Sequence, residues 1–511
     1  MMKQKFYITT PLYYVNAQPH IGHAYTTIAA DCLARYKRLK GFEVFFLTGT
    51  DEHGQKVAQA ADQAGLGPAE FTDQIAPRFI NLWQKLSISY DDFIRTTETR
   101  HTEAVAKALD ILLQSQDLYL GKYEDWYCTP CETFWTQAQL EDKLCPDCRR
   151  PVEQISEENY FFKTSKYQSW LIEYIQGHPD FILPRSGRQE ILSFLENPLA
   201  DLCISRPKQR LSWGIPLPFS AEHVTYVWFD ALLNYISAPG FTSDPKRFKR
   251  LWPADLHLIG KDILRHHAVY WPIMLHALGL KPPKMIFAHG WWMIKDLKIS
   301  KSRGNIVDPE QAIKAYGPDA LRYFLLREVP FGFDGTYSEQ ALVGRLNSDL
   351  ANDLGNLLHR SLTMVEKYFQ GQIPKPDHED AQDARLTSQA KQLPEKYYSA
   401  MDRVQFGLAL DPVWALINTA NKYIEQLKPW ELAKQENLPR LATVTYHLVE
   451  VLRIVAVLIY PFMPQAALNM FAQLGLEVDL AKNNFTALLK WRSFPAGTKI
   501  NKTGPIFPRI E

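Results

Sequence analysis

The sequence predicts a doubly wound α/β unit on a parallel sheet, interrupted by an inserted segment and followed by an α-helical bundle. Three observations carry that expectation. Strand-like and helix-like runs alternate near the N-terminus, two Cys-x-x-Cys pairs break the alternation, and past Tyr337 long helical patterns replace strand signals. At 511 residues and 46% hydrophobic, the chain is too long for one core and should divide into three or four domains. No apolar run approaches bilayer length, and Met1-Met2-Lys3-Gln4-Lys5 leads into a strand rather than a signal-peptide core, so a cytoplasmic protein that binds no membrane is expected. A net charge of +1 excludes a uniformly basic coat, and any polyanion contact must be local.

The elements follow in order. Residues 5–10 read as a strand, 24–39 as a helix, 43–48 as a strand and 55–64 as a helix, which is a parallel βαβ start. Helical patterns at 68–86 and 102–116 bracket the strand-like Asp92-Phe93-Ile94-Arg95. From residue 118 the text becomes aromatic and alternating, and an insertion is expected over 118–223. Strand and helix character returns at 225–228, 255–259, a helix through Leu278 and a buried strand at 284–289. The helical tail shows patterns at 338–369, 381–401, 404–427 and 440–463, with a polar Lys375-Pro376-Asp377 connection inside it. The expected units are therefore 1–117, 118–223, 224–294, a mobile segment 295–337, and a bundle 338–511.

Four of the six cysteines, Cys128, Cys131, Cys145 and Cys148, form two Cys-x-x-Cys pairs separated by thirteen residues, the spacing of a zinc ribbon. Thr129-Pro130 and Pro146-Asp147 supply tight turns, and four thiolates leave no open coordination position, so one structural Zn2+ is expected. Cys32 and Cys203 read as core.

Two further patterns form a split nucleotide signature. His20-Ile21-Gly22-His23 sits where a strand turns into a helix N-terminus, and imidazole donors there suit charge building on departing pyrophosphate. Downstream, Lys298-Ile299-Ser300-Lys301-Ser302 places lysines and hydroxyls on a loop ending Arg303-Gly304-Asn305, whose mobility would let it close over a triphosphate. Ligands of doubly wound sheets lie at the strands' carboxyl ends, so His20 and His23, 51–53, 260–262 and 289–291 should converge.

These motifs resemble the class I aminoacyl-tRNA synthetases, and among them the methionyl-tRNA synthetase family, over essentially the whole chain. The resemblance rests also on Thr10-Pro11-Leu12-Tyr13-Tyr14-Val15-Asn16, Thr48-Gly49-Thr50-Asp51-Glu52-His53-Gly54, Tyr226-Val227-Trp228-Phe229-Asp230-Ala231, Gly260-Lys261-Asp262-Ile263 and Lys428-Pro429-Trp430. Ile299 stands where the family usually has Met, and Leu232 where some relatives have Pro. The resemblance implies a methionine–tRNA ligase that activates methionine with ATP and Mg2+ and charges tRNA(Met), initiator and elongator. Its methionine pocket would comprise Leu12, Tyr14, Asp51, Trp228, Ala231, Leu232, Tyr235, Ile263 and His267, with His267 and Tyr14 near the sulfur. ATP would meet His20, Gly22, His23, Asp262, Lys298, Ser300, Lys301 and Ser302, with His20, His23 and Lys301 catalytic and Gly22 keeping backbone clear of the adenine. Asn352, Asn356 and Arg360, spaced i, i+4, i+8, and Trp430 would read the anticodon. With one four-cysteine site and no further domain after the bundle, a monomer is expected. The alternatives are another class I synthetase, an adenylating nucleotidyltransferase of the same fold, or a non-catalytic zinc-ribbon RNA-binding protein. The absence of a large editing insertion favours methionine over isoleucine, leucine or valine.

Overall fold

Aromatic and aliphatic residues that shed water on both faces dominate the first strands, and such strands pair in parallel beneath crossover helices. The computed structural model describes residues 4–129, 131–135, 137, 140, 142–146, 148–294, 297–298, 307–480 and 485–510. Seven strands make the central sheet: β1 (Lys5–Thr9), β2 (Tyr13–Tyr14), β3 (Glu43–Asp51), β4 (Asp92–Arg95), β5 (Ile182–Leu183), β6 (Leu256–Gly260) and β7 (Ile286–His289). All pairings are parallel: β3 with β1, β2 and β4, β1 with β6, β6 with β7, and β7 with β5. The chain winds from β1 towards β3 and from β6 towards β7, so β1 and β6 flank the switch point of the sheet.

Helix α1 (Ile21–Leu39) leaves this point and starts three residues before the expected Ala24. The cause is local. His20 and His23 form a capping box in which each side chain satisfies a backbone N–H of the first turn, a role that Ser and Glu usually fill.

The segment expected as one insertion over 118–223 rejoins the central sheet halfway. Its first part is an antiparallel ladder of Leu118–Cys128 against Glu153–Phe162, with the short strand Thr133–Trp135 alongside. It then supplies β5, flanked by helices Gln168–Gly177 and Arg185–Phe194, whose Leu171, Ile175 and Ile191 join the core beneath β6 and β7. A strand of two residues has no period to read.

A continuous helix over 339–369 opens the helical region, and its middle, Leu346–Gly355, is π-helical. Helices Ala381–Asp402, Phe406–Leu427, Pro429–Lys434 and Leu438–Ile459 follow. The last corrects the reading that no apolar run approaches bilayer length. At 22 residues and mean hydropathy 1.7 it is long and apolar enough by composition, but its apolar window is entirely buried in the bundle.

Buried charge joins the bundle to α1. Asp31 on α1 takes Arg35 Nε at 2.8 Å and Arg322 Nη2 at 2.7 Å, and its other oxygen accepts from the Ser89 N–H and hydroxyl at 2.7 and 2.6 Å. Arg322 also donates to the carbonyls of Leu86, Pro461 and Phe462 at 3.0, 2.9 and 2.7 Å. The two oxygens of Asp31 and the guanidinium nitrogens of Arg35 and Arg322 all have partners.

Candidate active site

The N-terminus of α1 fixes the chemistry of its two histidines. The Gly22 N–H donates to His20 Nδ1 at 3.0 Å and the His20 N–H to His23 Nδ1 at 3.3 Å, so in the neutral rings the proton sits on Nε2 of each. The rings stack at 3.8 Å. The first turn of α1 carries no acidic side chain, and its backbone N–H groups are satisfied within the chain, so what it presents is the two histidine rings and the positive end of the helix dipole. Glycine at position 22 also leaves room for the His20 ring in its capping position. A Cβ there would lie 2.9 Å from His20 Cε1 and push the ring off its cap.

Beyond the carboxyl ends of the strands lies a cavity of about 1460 Å³, lined by His20, His23, Asp51, the 260–262 turn and 289–291. The four segments expected to converge there do so, with His53 buried just behind. All nine residues expected for the methionine pocket line the same cavity. Three of them carry buried polar atoms with no hydrogen-bond partner, the Tyr14 hydroxyl, Asp51 Oδ1 and Trp228 Nε1. Burial first, then the charges of Asp230 and Glu132, hold the Asp51 carboxyl well above its ordinary range. Asp262 accepts from Trp291 Nε1 at 3.0 Å, and Lys261 Nζ pairs with Asp334 at 2.7 Å across the mouth.

His267 lines the cavity and is tied into its wall. Its Nδ1 meets the Ile263 carbonyl at 2.9 Å and its Nε2 the Tyr235 hydroxyl at 2.8 Å, so both ring nitrogens are engaged within the wall. Burial pushes its pKa down to about 4. The neighbouring His266, which sequence reasoning missed, stacks on Trp228 at 3.8 Å with its Nδ1 unpartnered. Both lie in or beside a π-helical turn, His266–Tyr270, a distortion common at functional sites. The adjacent His266-His267 pair in an otherwise apolar helix was the available signal. Behind Asp51, Asp230 bridges His53 Nδ1 at 2.8 Å and His101 Nε2 at 2.7 Å, all three buried, and its contacts with the two histidines hold its carboxyl down despite burial.

At the cavity's outer wall the Sγ atoms of Cys128, Cys131, Cys145 and Cys148 lie within 4.8 Å of one another, with Cys128–Cys148 at 3.6 Å and Cys131–Cys145 at 3.8 Å. Four thiolates about 2.3 Å from a tetrahedral Zn2+ would stand roughly 3.8 Å apart, so the cluster fits a metal ion. Cys32 and Cys203 are buried core residues, as expected.

Against known proteins, the family model for class I tRNA synthetases (M) matches residues 6–154 and 150–362, and that for the anticodon binding domain of methionyl tRNA ligase matches 373–511. The methionine–tRNA ligase of Caldanaerobacter subterraneus is 52% identical over 512 residues, which covers 100% of this chain and 80% of the relative. The chain belongs to the methionyl-tRNA synthetase family. The methionine–tRNA ligase of Thermotoga maritima is 48% identical, covering 99% of this chain and 80% of its own length. The solved Mycobacterium tuberculosis methionyl-tRNA synthetase in complex with methionyl-adenylate has a TM-score of 0.95 at 43% identity, covering 99% of this chain and 100% of that one.

For a methionyl-tRNA synthetase, the remaining expected residues fall in two places. Ser300, Lys301 and Ser302 lie outside the described residues, as do Pro130 and Asp147, and Lys298 is described only as part of the strand Leu297–Lys298. Asn352 and Asn356 are exposed and Arg360 is half-buried on the 339–369 helix, and Trp430, 42% exposed, opens Pro429–Lys434. The spacing assumed an α-helix, yet Asn352 lies in the π-helical stretch. The wider turn there rotates an i, i+4 step opposite to the α-helical step that follows, so the three positions keep one face. Arg206 serves the fold, since it is buried against Glu157 at 3.0 Å.

Proposed function

We infer that this chain is a methionine–tRNA ligase, which joins methionine to ATP as methionyl-adenylate, releases pyrophosphate and transfers the methionyl group to the 3′ end of tRNA(Met), initiator and elongator. The observation that carries this reading is the pairing, within one cavity, of a buried carboxylate whose Oδ1 has no hydrogen-bond partner with a helix N-terminus that carries two histidines and no acidic side chain. Asp51 Oδ1 accepts from the methionine ammonium. Trp228, Tyr14, Ile263 and Leu12 wall an apolar slot for the thioether, with Ala231, Leu232 and Tyr235 closing it and His267 bracing Tyr235.

The methionine carboxylate then attacks the α-phosphorus, a P–O bond forms as the bond to pyrophosphate breaks, and charge accumulates on the leaving group. His20 and His23 stabilise it through Nε2–H while their Nδ1 atoms stay capped on backbone. Gly22 permits that ring placement, Asp262 orients the nucleoside, and Lys298, Ser300, Lys301 and Ser302 close over the phosphates, which arrive with Mg2+. Cys128, Cys131, Cys145 and Cys148 hold Zn2+, which shapes the knuckle and offers no open position for chemistry. Asn352, Asn356 and Arg360 read base edges of the anticodon, and Trp430 stacks on an unpaired base. The enzyme acts in the cytoplasm as a monomer, which sedimentation of the purified protein checks.

The test is exchange of labelled pyrophosphate into ATP with each of the twenty amino acids, followed by charging of tRNA(Met). Exchange with methionine alone is expected. Exchange with another amino acid, or with none even when tRNA is present, overturns the reading.

A further inference from the structure

We propose that Glu132, a residue of the cysteine knuckle, positions the methionine pocket by holding Lys56 and Tyr14 beside Asp51, and so ties methionine affinity to the knuckle. The inference rests on the reading of this cavity as the methionine site.

Glu132 follows Cys131 directly and is 1% exposed. Its φ of 50° lies in the left-handed region, which a side chain other than glycine seldom adopts without support from its surroundings. That support is visible: the Tyr226 hydroxyl donates to its carbonyl at 2.5 Å and its own N–H reaches the Thr129 carbonyl at 3.3 Å. The backbone turn sends the carboxylate out of the knuckle and into the sheet unit. There Oε1 accepts the Lys56 N–H at 3.1 Å, capping helix Gln55–Ala64, whose own N-cap is Gly54 and has no side chain to offer.

Gly54 exists in part for this contact. A Cβ at that position would lie 2.8 Å from Glu132 Oε1, and its φ of 99° already favours glycine. The second oxygen, Oε2, makes no hydrogen bond and has Lys56 Nζ 3.7 Å away. That ammonium in turn stands 4.5 Å over the Tyr14 ring, whose edge meets Trp228 at 6.5 Å. The path from cysteine knuckle to substrate wall is therefore contiguous. The electrostatics agree, since Glu132 follows burial among the causes that raise both the Tyr14 phenol and the Asp51 carboxyl.

A buried cap with only a structural role would lower the melting temperature or the active fraction, and hence kcat, without moving the methionine KM. The test is methionine-dependent pyrophosphate exchange by the full chain, with methionine and ATP varied separately. Glu132→Ala is expected to raise the methionine KM about tenfold, and Glu132→Gln, which keeps an acceptor for the Lys56 N–H but not the charge, about fivefold, each with the ATP KM unchanged. Lys56→Met should raise the methionine KM similarly and add little to Glu132→Ala. Equilibrium methionine binding followed by tryptophan fluorescence should weaken by the same factors. Metal content of Glu132→Gln should match the unmodified protein.

An unchanged methionine KM in Glu132→Gln overturns the proposal whatever Glu132→Ala does, including failure to fold. So does a rise in the ATP KM equal to that for methionine. An unmodified protein that shows no methionine-dependent exchange would instead sink the reading of the cavity.

Discussion

Two buried aspartates, Asp31 at the junction with the bundle and Asp51 in the cavity, meet opposite fates. Burial alone would raise both carboxyls. At Asp31 it is outweighed by Arg35, Arg322 and the Ser89 donors, which hold the pKa down at about 2. At Asp51 burial is reinforced by Asp230 and Glu132, one oxygen has no partner, and the carboxyl is driven well above its range. The contrast separates charge that folds the protein from charge kept for a ligand. A satisfied buried ion is structure, and an unsatisfied one implies a partner yet to arrive.

The junction should break hardest. Arg322→Met leaves Asp31 short of a guanidinium and three carbonyls without donors, and should cost about 3–5 kcal/mol in denaturant unfolding. A loss under about 1 kcal/mol would show that the network is not what clamps α1 to the bundle. Trp430→Ala should cost about 1–3 kcal/mol in kcat/KM for tRNA, read in charging assays, while pyrophosphate exchange stays unchanged. An equal loss in exchange would place the tryptophan's effect in the catalytic unit.

A smaller effect sharpens the pocket side. Burial, followed by neighbouring positive charge, holds His266 down at about 3, and burial holds His267 at about 4. The unfolded chain, titrating near 6.5, binds more protons than the folded one between these values and pH 6.5. The stability they contribute is complete above pH 6.5 and is lost as pH falls towards 4, at up to about 1.4 kcal/mol per pH unit for each ring. Melting temperatures at pH 7, 6 and 5 should decline accordingly, and His267→Gln should flatten the slope. A melting temperature independent of pH over that range would contradict the assignment of these rings as neutral.

Much of this architecture is legible in the sequence, for reasons of periodicity. The first strands, the 55–64 helix and the long bundle helices repeat their apolar residues often enough to fix type and extent, and the cysteine pairs announce their cluster by spacing alone. The strand Ile182–Leu183 is too short to show a period, and a π-helical turn at His266–Tyr270 or Leu346–Gly355 looks like α-helix in sequence. Helix α1 begins early because two histidines cap it, a use of histidine that capping patterns do not anticipate. The candidate site divides the same way. Motif residues such as His20 and Asp51 stand out in the chain, whereas Lys56, Glu132 and His266 acquire meaning only when the knuckle folds onto the sheet. Family resemblance placed His267 near a sulfur, but only its two hydrogen bonds reveal that both nitrogens are already engaged.

The most direct test pairs stability with activity in Asp51→Asn. Because the carboxyl is buried and unpaired, the neutral isostere should melt at the same temperature as the unmodified protein or higher, while methionine-dependent pyrophosphate exchange falls about hundredfold in kcat/KM, roughly 2.7 kcal/mol. Exchange at the unmodified rate, or a fall in melting temperature like that of Arg322→Met, would contradict the claim that this oxygen is held in readiness for the substrate's ammonium.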